Sequence, residues 1–560
     1  MIVVLLLTAN LWANGGSQKS PQPVAPVQNK ANLTPLGKYS PAVEITFVQG
    51  INLAGNQQNK IDDNDMLKFL EEKLGIKVKH KWVTSPEQYN QRLALSLASN
   101  DLPDCMKVDM KTLGQMIDAD QIEDLTQVWN AYGSELTKRL MDVPGSTGFG
   151  MGKRNGKLYG IPDVTPVLET MHMLFLREDW RKKLNLPEPT TFENLEKILY
   201  AFTRNDPDGN GIQDTYGIGM NKSLYGIAYE MTSIANAMHA YPNAWIRNSQ
   251  GRIVYGSIQP EMKPVLVKLT QWFKDGLIDP EFTVKDENKE AELVLREKMG
   301  ATFGVQWTQF ISGGIVDLYI TNPQSDWRIW SIPSIDAKPA KPIVYDNTRN
   351  FYVVRKGYPN PEALVLLLNM MHQIGAGDGR TYFKTPDEFN AVWNNNWELC
   401  PARTESIHGN IPKWENVFTA LDTNNPTLVG YNYNASILYN NILEQRRWLA
   451  SMSNPRRDGQ QVDKERFKGI WGNLFSGQLF SAASELAAKN GLEYEQCGAL
   501  VTNTMVESLA TIKKLELETF TRIITGDAPI GEFDNFVNSW NRLGGQRITE
   551  EINQWYANNK

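Results

Sequence analysis

VEITFVQG (43–50), followed by NDMLKFLEEKLGIKVKHKWV (64–83), is the stretch from which a fold can be read. The first segment alternates apolar and polar residues and ends in glycine, as a strand does. The second is patterned as an amphipathic helix, a turn at Gly75 and a second strand. A strand–helix–strand opening points to an α/β lobe with helices on both faces of its sheet. SPEQYNQRLALSLASNDLPDCMKVD (85–109) continues the alternation. Ser85-Pro86 opens a helix, Leu93, Leu95 and Leu97 are expected on its apolar side, and Asp101–Pro103 breaks it before a short strand.

Further along, KLYGIPDVTPVLETMHMLFLREDWRKKLNL (157–186) is expected to carry a strand out of this first lobe. In PTTFENLEKILYAFTRND, Thr191 is the expected N-cap, and Phe192, Leu195, Ile198, Leu199 and Phe202 recur at helical spacing. A helix closed by Gly276, a strand in MGATFGVQWTQF (299–310), a strand in NFYVVRKG (350–357) and a helix opened by Pro361 follow. From about residue 430 the pattern is mostly helical.

The chain has 560 residues, too many for one ordinary domain, so at least two cores are expected. With 41% hydrophobic residues, 21% charged residues and a net charge of −6, it lacks the basic excess that nucleic-acid binding needs. MIVVLLLTANLWA (1–13) is apolar but too short to span a bilayer. It is patterned as a signal-peptide core, leading into a polar, proline-rich tether at 14–40. No later run is long and apolar enough to be a spanning helix. Cys105, Cys400 and Cys497 are far apart, offer no disulfide framework or zinc spacing, and are expected to be buried apolar residues.

TRNDPDGNGIQDTYGIG (203–219) sits where the Phe192–Phe202 helix ends. Asp206, Asp208, Asn210 and Asp214 take the first, third, fifth and ninth places of a D-x-[DN]-x-[DN]-G loop, and Gly211 takes the sixth. Ile212, at the seventh, would offer its carbonyl. Hard oxygen donors in this pattern suit Ca²⁺, with an Asx-rich turn as the alternative. Position twelve, where a bidentate glutamate would stand, is Gly217. A missing ligand would then come from Asp214, Thr215, water or a distant part of the chain. The expected ion is structural, stapling a surface loop, because no histidine lies near to build a reactive site.

LASNDLPD, LYGIPD, LREDWRKKLNLPEPTTFENL, DPDGNGIQDTYGIG, GRIVYGSIQPEMKPVLVKLTQWFKDGLIDPEF and FDNFVNSWNRLGG together resemble, in order and spacing, the extracellular solute-binding proteins of carbohydrate ABC importers. The likeness is to the large LipO-like and alginate-binding group that carries a calcium loop, and it covers about residues 41 to 558. It implies a type II periplasmic-binding-protein fold, two discontinuous α/β lobes closing on a sugar. Crossings near LETMHMLFLRE and YDNTRNFYVV would place lobe 1 at 41–168 plus 346–425 and lobe 2 at 169–345 plus 426–560. Asp206, Asp208, Asn210, Ile212 and Asp214 match the family's calcium loop, while its following acidic residue is Thr215 here. Many relatives carry a lipobox cysteine. Here Asn10 follows Leu7-Thr8-Ala9, so a free periplasmic receptor, monomeric and paired with an inner-membrane permease, is the expectation.

Sugar receptors stack aromatic rings on C–H faces and aim planar polar groups at the hydroxyl rim. Ligands of open α/β sheets lie beyond the strand ends. Gln49 and Asn52 follow the first strand, Asp109 follows the strand after LASND, and Gln306 and Trp307 follow MGATFGV. Asn347, Arg349 and Asn350 lie at the expected return crossing, and Trp393 and Trp397 flank a run of three asparagines. Trp307 matches a common stacking place in the family. Arg349, between two asparagines, could clasp a uronate or sulfated sugar.

The alternatives are a secreted carbohydrate-active enzyme and a glycan-holding surface module. A glycosidase needs two carboxylates about 5–9.5 Å apart, and 63 acidic residues leave that open. No G-x-S-x-G elbow, H-E-x-x-H helix or G-x-x-x-x-G-K-[ST] loop occurs. The five histidines are not at ligand spacing, and His172 is expected to be buried and hydrogen-bonded.

Overall fold

The structure, a computed structural model, describes residues 33–51, 60–141, 148–404 (165, 323, 346, 347, 349, 378–380 and 395 excepted), 411–429, isolated positions between 439 and 490, and 491–558 (499 excepted). The expected signal peptide and most of the tether lie outside these residues. None of the described helices is long and apolar enough to cross a membrane.

Strand β1 (Val43–Gly50) pairs in parallel with β2 (Ile76–Thr84), and helix α1 (Asp65–Leu74) connects them. Asn64 caps α1 by accepting from the Leu67 N–H, and Gly75 ends it in the left-handed region at φ 63°. A side chain there would meet the Tyr39 carbonyl at 2.4 Å, so both backbone geometry and space demand glycine. Pro86 opens α2 (Pro86–Ala98), and β3 (Cys105–Asp109) runs into α3 (Met110–Asp118). In α2 the expected apolar side is corrected: Leu93 is buried, whereas Leu95 is 67% exposed. Residues two apart stand about 200° apart on a helix and cannot share one face.

The strand Asn350–Val354 lies between β3 and the short strand Ile161–Pro162, antiparallel to both. Asp104 ties this sheet to β1. Its carboxylate accepts from the Thr46 N–H and hydroxyl at 2.9 and 2.6 Å and pairs with Arg355 at 2.8 Å. A second sheet centres on Met173–Arg177, with Ala301–Gly304 and Trp327–Trp330 antiparallel on its two sides.

Both central strands are apolar without alternation because both faces are covered. Met173 and Phe175 join one core, while Leu174 and Leu176 join another with Phe202, Trp272 and the C-terminal helices. Tyr352 and Val354 likewise face away from Phe351 and Val353. Helix Phe192–Arg204 starts where expected, the Thr191 hydroxyl accepting from the Asn194 N–H at 3.2 Å, and its five spaced apolar residues are all buried. The C-terminal helices Asn503–Thr525, Glu532–Trp540 and Gln546–Asn558 complete the second core. The three cysteines are free and buried.

Candidate functional site

The end of β1, the first turns of α2, β3 and the start of Asn350–Val354 surround a cavity of about 260 Å³. Gln49, Tyr89, Asn90, Lys107, Asn350 and Arg403 supply its polar lining. Gln49 is fixed at both ends of its amide. Its Nε2 donates to the Glu398 carbonyl at 3.0 Å, and its Oε1 lies 2.9 Å from His80 Nε2. Burial holds the His80 imidazole below its ordinary pKa, with Asp62 on Nδ1 pulling the other way. Tyr89 donates to the Lys107 carbonyl at 2.8 Å, and burial pushes its phenol up. Lys107 pairs with Asp163 at 2.6 Å and lies 5.0 Å from the Tyr352 ring centre.

Trp393 and Trp397 stack on each other at 6.2 Å and 22° rather than standing apart. The Arg403 guanidinium lies over Trp397, 4.9 Å from the ring centre. Gln49 and Asn350 therefore line one cavity, whereas the tryptophan pair does not line it and is linked to it only through the contact of Trp397 with Arg403. Asp109 faces Asn350 across the register and caps α3, accepting from the Thr112 N–H at 2.7 Å. Asn52, Asn347 and Arg349 lie outside the described residues.

Gln306 and Trp307 belong to a 3₁₀ turn, Gln306–Phe310, after the buried strand Ala301–Gly304. They point differently. Gln306 is buried and donates to Glu169 at 2.8 Å. Trp307 is 55% exposed, and Phe310, 47% exposed, stands 6.2 Å from it, ring centre to ring centre. Two neighbouring bare rings form a ready stacking surface. His172 is buried, with Nε2 2.9 Å from the Gly226 carbonyl.

The aspartate loop is folded around its own donors. Asp206 accepts from the Gly209, Asn210 and Gly211 N–H groups, each at 3.0 Å. Partial desolvation pushes the Asp206 carboxyl up, but these bonds outweigh it and hold it below the usual range. The Lys298 ammonium reaches Asp214 at 2.7 Å and Asp208 at 3.1 Å, and it is the main reason the Asp214 carboxyl is lowered. Gly209 and Gly211 take φ of 77° and 79°, which these tight turns require. Ile212 is exposed, its N–H donating to Asn210 Oδ1. Thr215 is buried and gives its hydroxyl to the Phe202 carbonyl at 2.6 Å. A side chain at Gly217 would meet the Leu199 carbonyl at 2.6 Å, so the twelfth position packs on a helix instead of facing the loop.

Among the described residues no group of three or more His, Cys, Asp or Glu side chains stands ready to hold a metal ion. The oxygen donors of Asp206, Asp208, Asn210 and Asp214 fit calcium chemically. The place shared by Asp208 and Asp214 is taken by Lys298. Sequence reasoning missed Lys298, Lys107 and Arg403. No local motif marks them, since Lys298 lies 84 residues from Asp214.

Residues 56–372 match the model of the bacterial extracellular solute-binding protein family. Lipoprotein LipO of Bacillus subtilis (strain 168) is 22% identical over 511 residues, covering 89% of this chain and 90% of LipO. A solved structure described as an HMO-binding, ABC-transporter-associated solute-binding protein of Bifidobacterium longum infantis superposes with a TM-score of 0.61 at 15% identity, covering 92% of this chain and 99% of that one. The S. pneumoniae substrate-binding protein FusA, solved as an EF-hand mutant with fructo-nystose, gives 0.51 at 15% identity, covering 92% and 99%. The fold is that of type II periplasmic-binding proteins. With a family model matching more than half its length, the chain belongs to the bacterial extracellular solute-binding proteins, a family of binding proteins rather than enzymes.

Proposed function

We propose that the chain captures an oligosaccharide outside the cytoplasmic membrane and delivers it to the permease of an ABC importer. The observation that carries this reading is the bare Trp307–Phe310 pair at the end of a fully buried strand. Such a pair costs exposed apolar area unless a ligand face covers it, and sugar rings offer such a face. FusA, a fructooligosaccharide ABC-transporter substrate-binding protein, and the HMO-binding, ABC-transporter-associated protein support the assignment.

In this reading the chain performs no bond chemistry. Lobe 1 (41–168 and 346–425) and lobe 2 (169–345 and 426–560) close on the sugar, and the permease recognises the closed shape. The division is supported by one strand in each sheet, Met173–Arg177 and Asn350–Val354, running antiparallel to both neighbours just beyond the proposed crossings. The receptor acts as an exported monomer. Gln49, Asn350 and Trp307 face the sugar, while Gln306 and Asp109 hold the frame.

The aspartate loop is the receptor's calcium site, supported by its spacing and by the likeness to FusA, which was solved as an EF-hand mutant. Asp206, Asp208, Asn210 and Asp214 would hold the ion and Ile212 its carbonyl contact. The ion would supply only local rigidity, and Lys298 must leave Asp208 and Asp214 to admit it.

A thermal-shift screen against oligosaccharides, with each mixture checked for cleavage products by mass spectrometry, tests the reading. A sugar at 100 times its dissociation constant is expected to add about 2.7 kcal/mol. Cleavage products would establish a hydrolase instead.

A further inference from the structure

Resting on the receptor reading, we infer that the β1–β3 cavity selects an acidic oligosaccharide by binding a sugar carboxylate at Arg403. The cavity lining holds two cations, Lys107 and Arg403, and no carboxylate among the described lining residues, in a chain whose net charge is −6. The two cations differ. Lys107 is neutralised by Asp163 at 2.6 Å. Among the described residues, Arg403 Nη1 is buried without a hydrogen-bond partner.

A guanidinium is always charged, and withdrawing one of its N–H groups from water without an acceptor is costly. Such a donor calls for an acceptor that no described residue provides, and Arg403 is one of the residues lining the cavity. Arg403 is also held in place. Its backbone N–H donates to the Tyr352 hydroxyl at 3.0 Å, and its guanidinium plane is supported by Trp397. A planar fork fixed by stacking suits a planar carboxylate, which it can grip through two parallel hydrogen bonds.

The neighbours extend the match. Pro86, Tyr89 and Asn90, from the first turns of the thirteen-residue helix α2, line the same cavity, so the N-terminal part of that helix borders it. Gln49, Asn90 and Asn350 supply amides of the kind that serve hydroxyl rims. Together they describe a sugar ring with hydroxyls and one carboxylate.

The test is calorimetric titration of the full chain with a panel of oligouronates, each paired with its carboxyl-reduced, neutral counterpart. A wider set of neutral oligosaccharides runs alongside. At least one acidic member is expected to bind tenfold or more tighter than its counterpart, with the advantage shrinking as salt rises. Arg403→Gln is expected to remove about tenfold or more of the acidic affinity and to change neutral affinity less than threefold. Arg403→Lys should restore the charge but only part of the preference. Because the anchoring bond to Tyr352 is made by the backbone, these variants keep it, and an unchanged unfolding midpoint checks the fold. Equal binding within every pair, or binding by neutral sugars alone, would overturn the inference and leave the receptor standing. Binding by no sugar of either kind would overturn the receptor reading, and this one with it.

Discussion

Lys298 and Asp214, 84 residues apart, form a 2.7 Å ion pair that closes the aspartate loop from outside it. The ammonium also contacts Asp208, so a single side chain supplies the positive charge that two loop carboxylates require. A divalent ion and Lys298 are therefore competitors. Replacing Lys298 by Met is expected to lower stability in chelator by about 1 kcal/mol and to tighten calcium binding about tenfold. Calcium titration of both proteins, followed by unfolding, measures the two effects. Identical calcium affinities would refute the competition.

The missing glutamate at position twelve gives a second test. By sequence pattern, Gly217→Glu completes the calcium loop. By structure, its Cβ falls 2.6 Å from the Leu199 carbonyl. The variant is expected to lose about 1–3 kcal/mol and to bind calcium no better. Stability equal to wild type with improved calcium affinity would contradict the packing argument.

Trp307 separates binding from folding. Because it is more than half exposed, Trp307→Ala should leave the unfolding midpoint within error. It should weaken the best sugar ligand about tenfold, the worth of a lost stacking ring. Gln306→Ala is expected to behave oppositely, losing roughly 1–3 kcal/mol of stability with its buried donor to Glu169. Unchanged sugar affinity in Trp307→Ala would remove the stacking surface from the site.

Glu290 should set a pH dependence. It lies on the helix Glu287–Leu295, wholly buried, and among the described residues neither carboxylate oxygen has a hydrogen-bond partner. Burial, reinforced by Asp279 and opposed by Lys285, raises its pKa from 4.5 to about 8. The native state thus keeps a proton that the unfolded state releases, so this group's contribution falls as pH rises from 4.5 towards 8. Glu290→Gln is expected to match wild type near pH 4 and to exceed it by roughly 4–5 kcal/mol above pH 8. Parallel stability–pH curves for the two proteins would argue against it.

Local signals in the sequence were strong where one segment decides its own structure. Gly75 and Thr191 mark helix boundaries because a left-handed turn and an N-cap depend on one or two residues. The aspartate loop was legible in its turns for the same reason. Leu95 was misplaced because a run of leucines carries no period unless the 100° step is counted residue by residue. The binding cavity was legible only in part. Gln49 and Asn350 could be proposed as strand ends, but Arg403 owes its position to Tyr352 and Trp397, partners that no periodicity brings together. Trp393 and Trp397 are expected in the sequence only as residues flanking three asparagines, and it is the fold that stacks them on each other.

The strand Met173–Arg177 is bonded on both edges and contributes alternate side chains to two different cores. An amide in the interior of such a strand, whichever neighbour it bonds to, is covered by packed cores on both faces of the sheet, so its release needs that packing to open with the strand pairing. Its hydrogen exchange should therefore be among the slowest in the molecule and should report global unfolding. A bound sugar should then slow this strand's exchange in step with its stabilisation of the whole fold, making the strand an internal gauge of occupancy against which faster openings elsewhere can be timed.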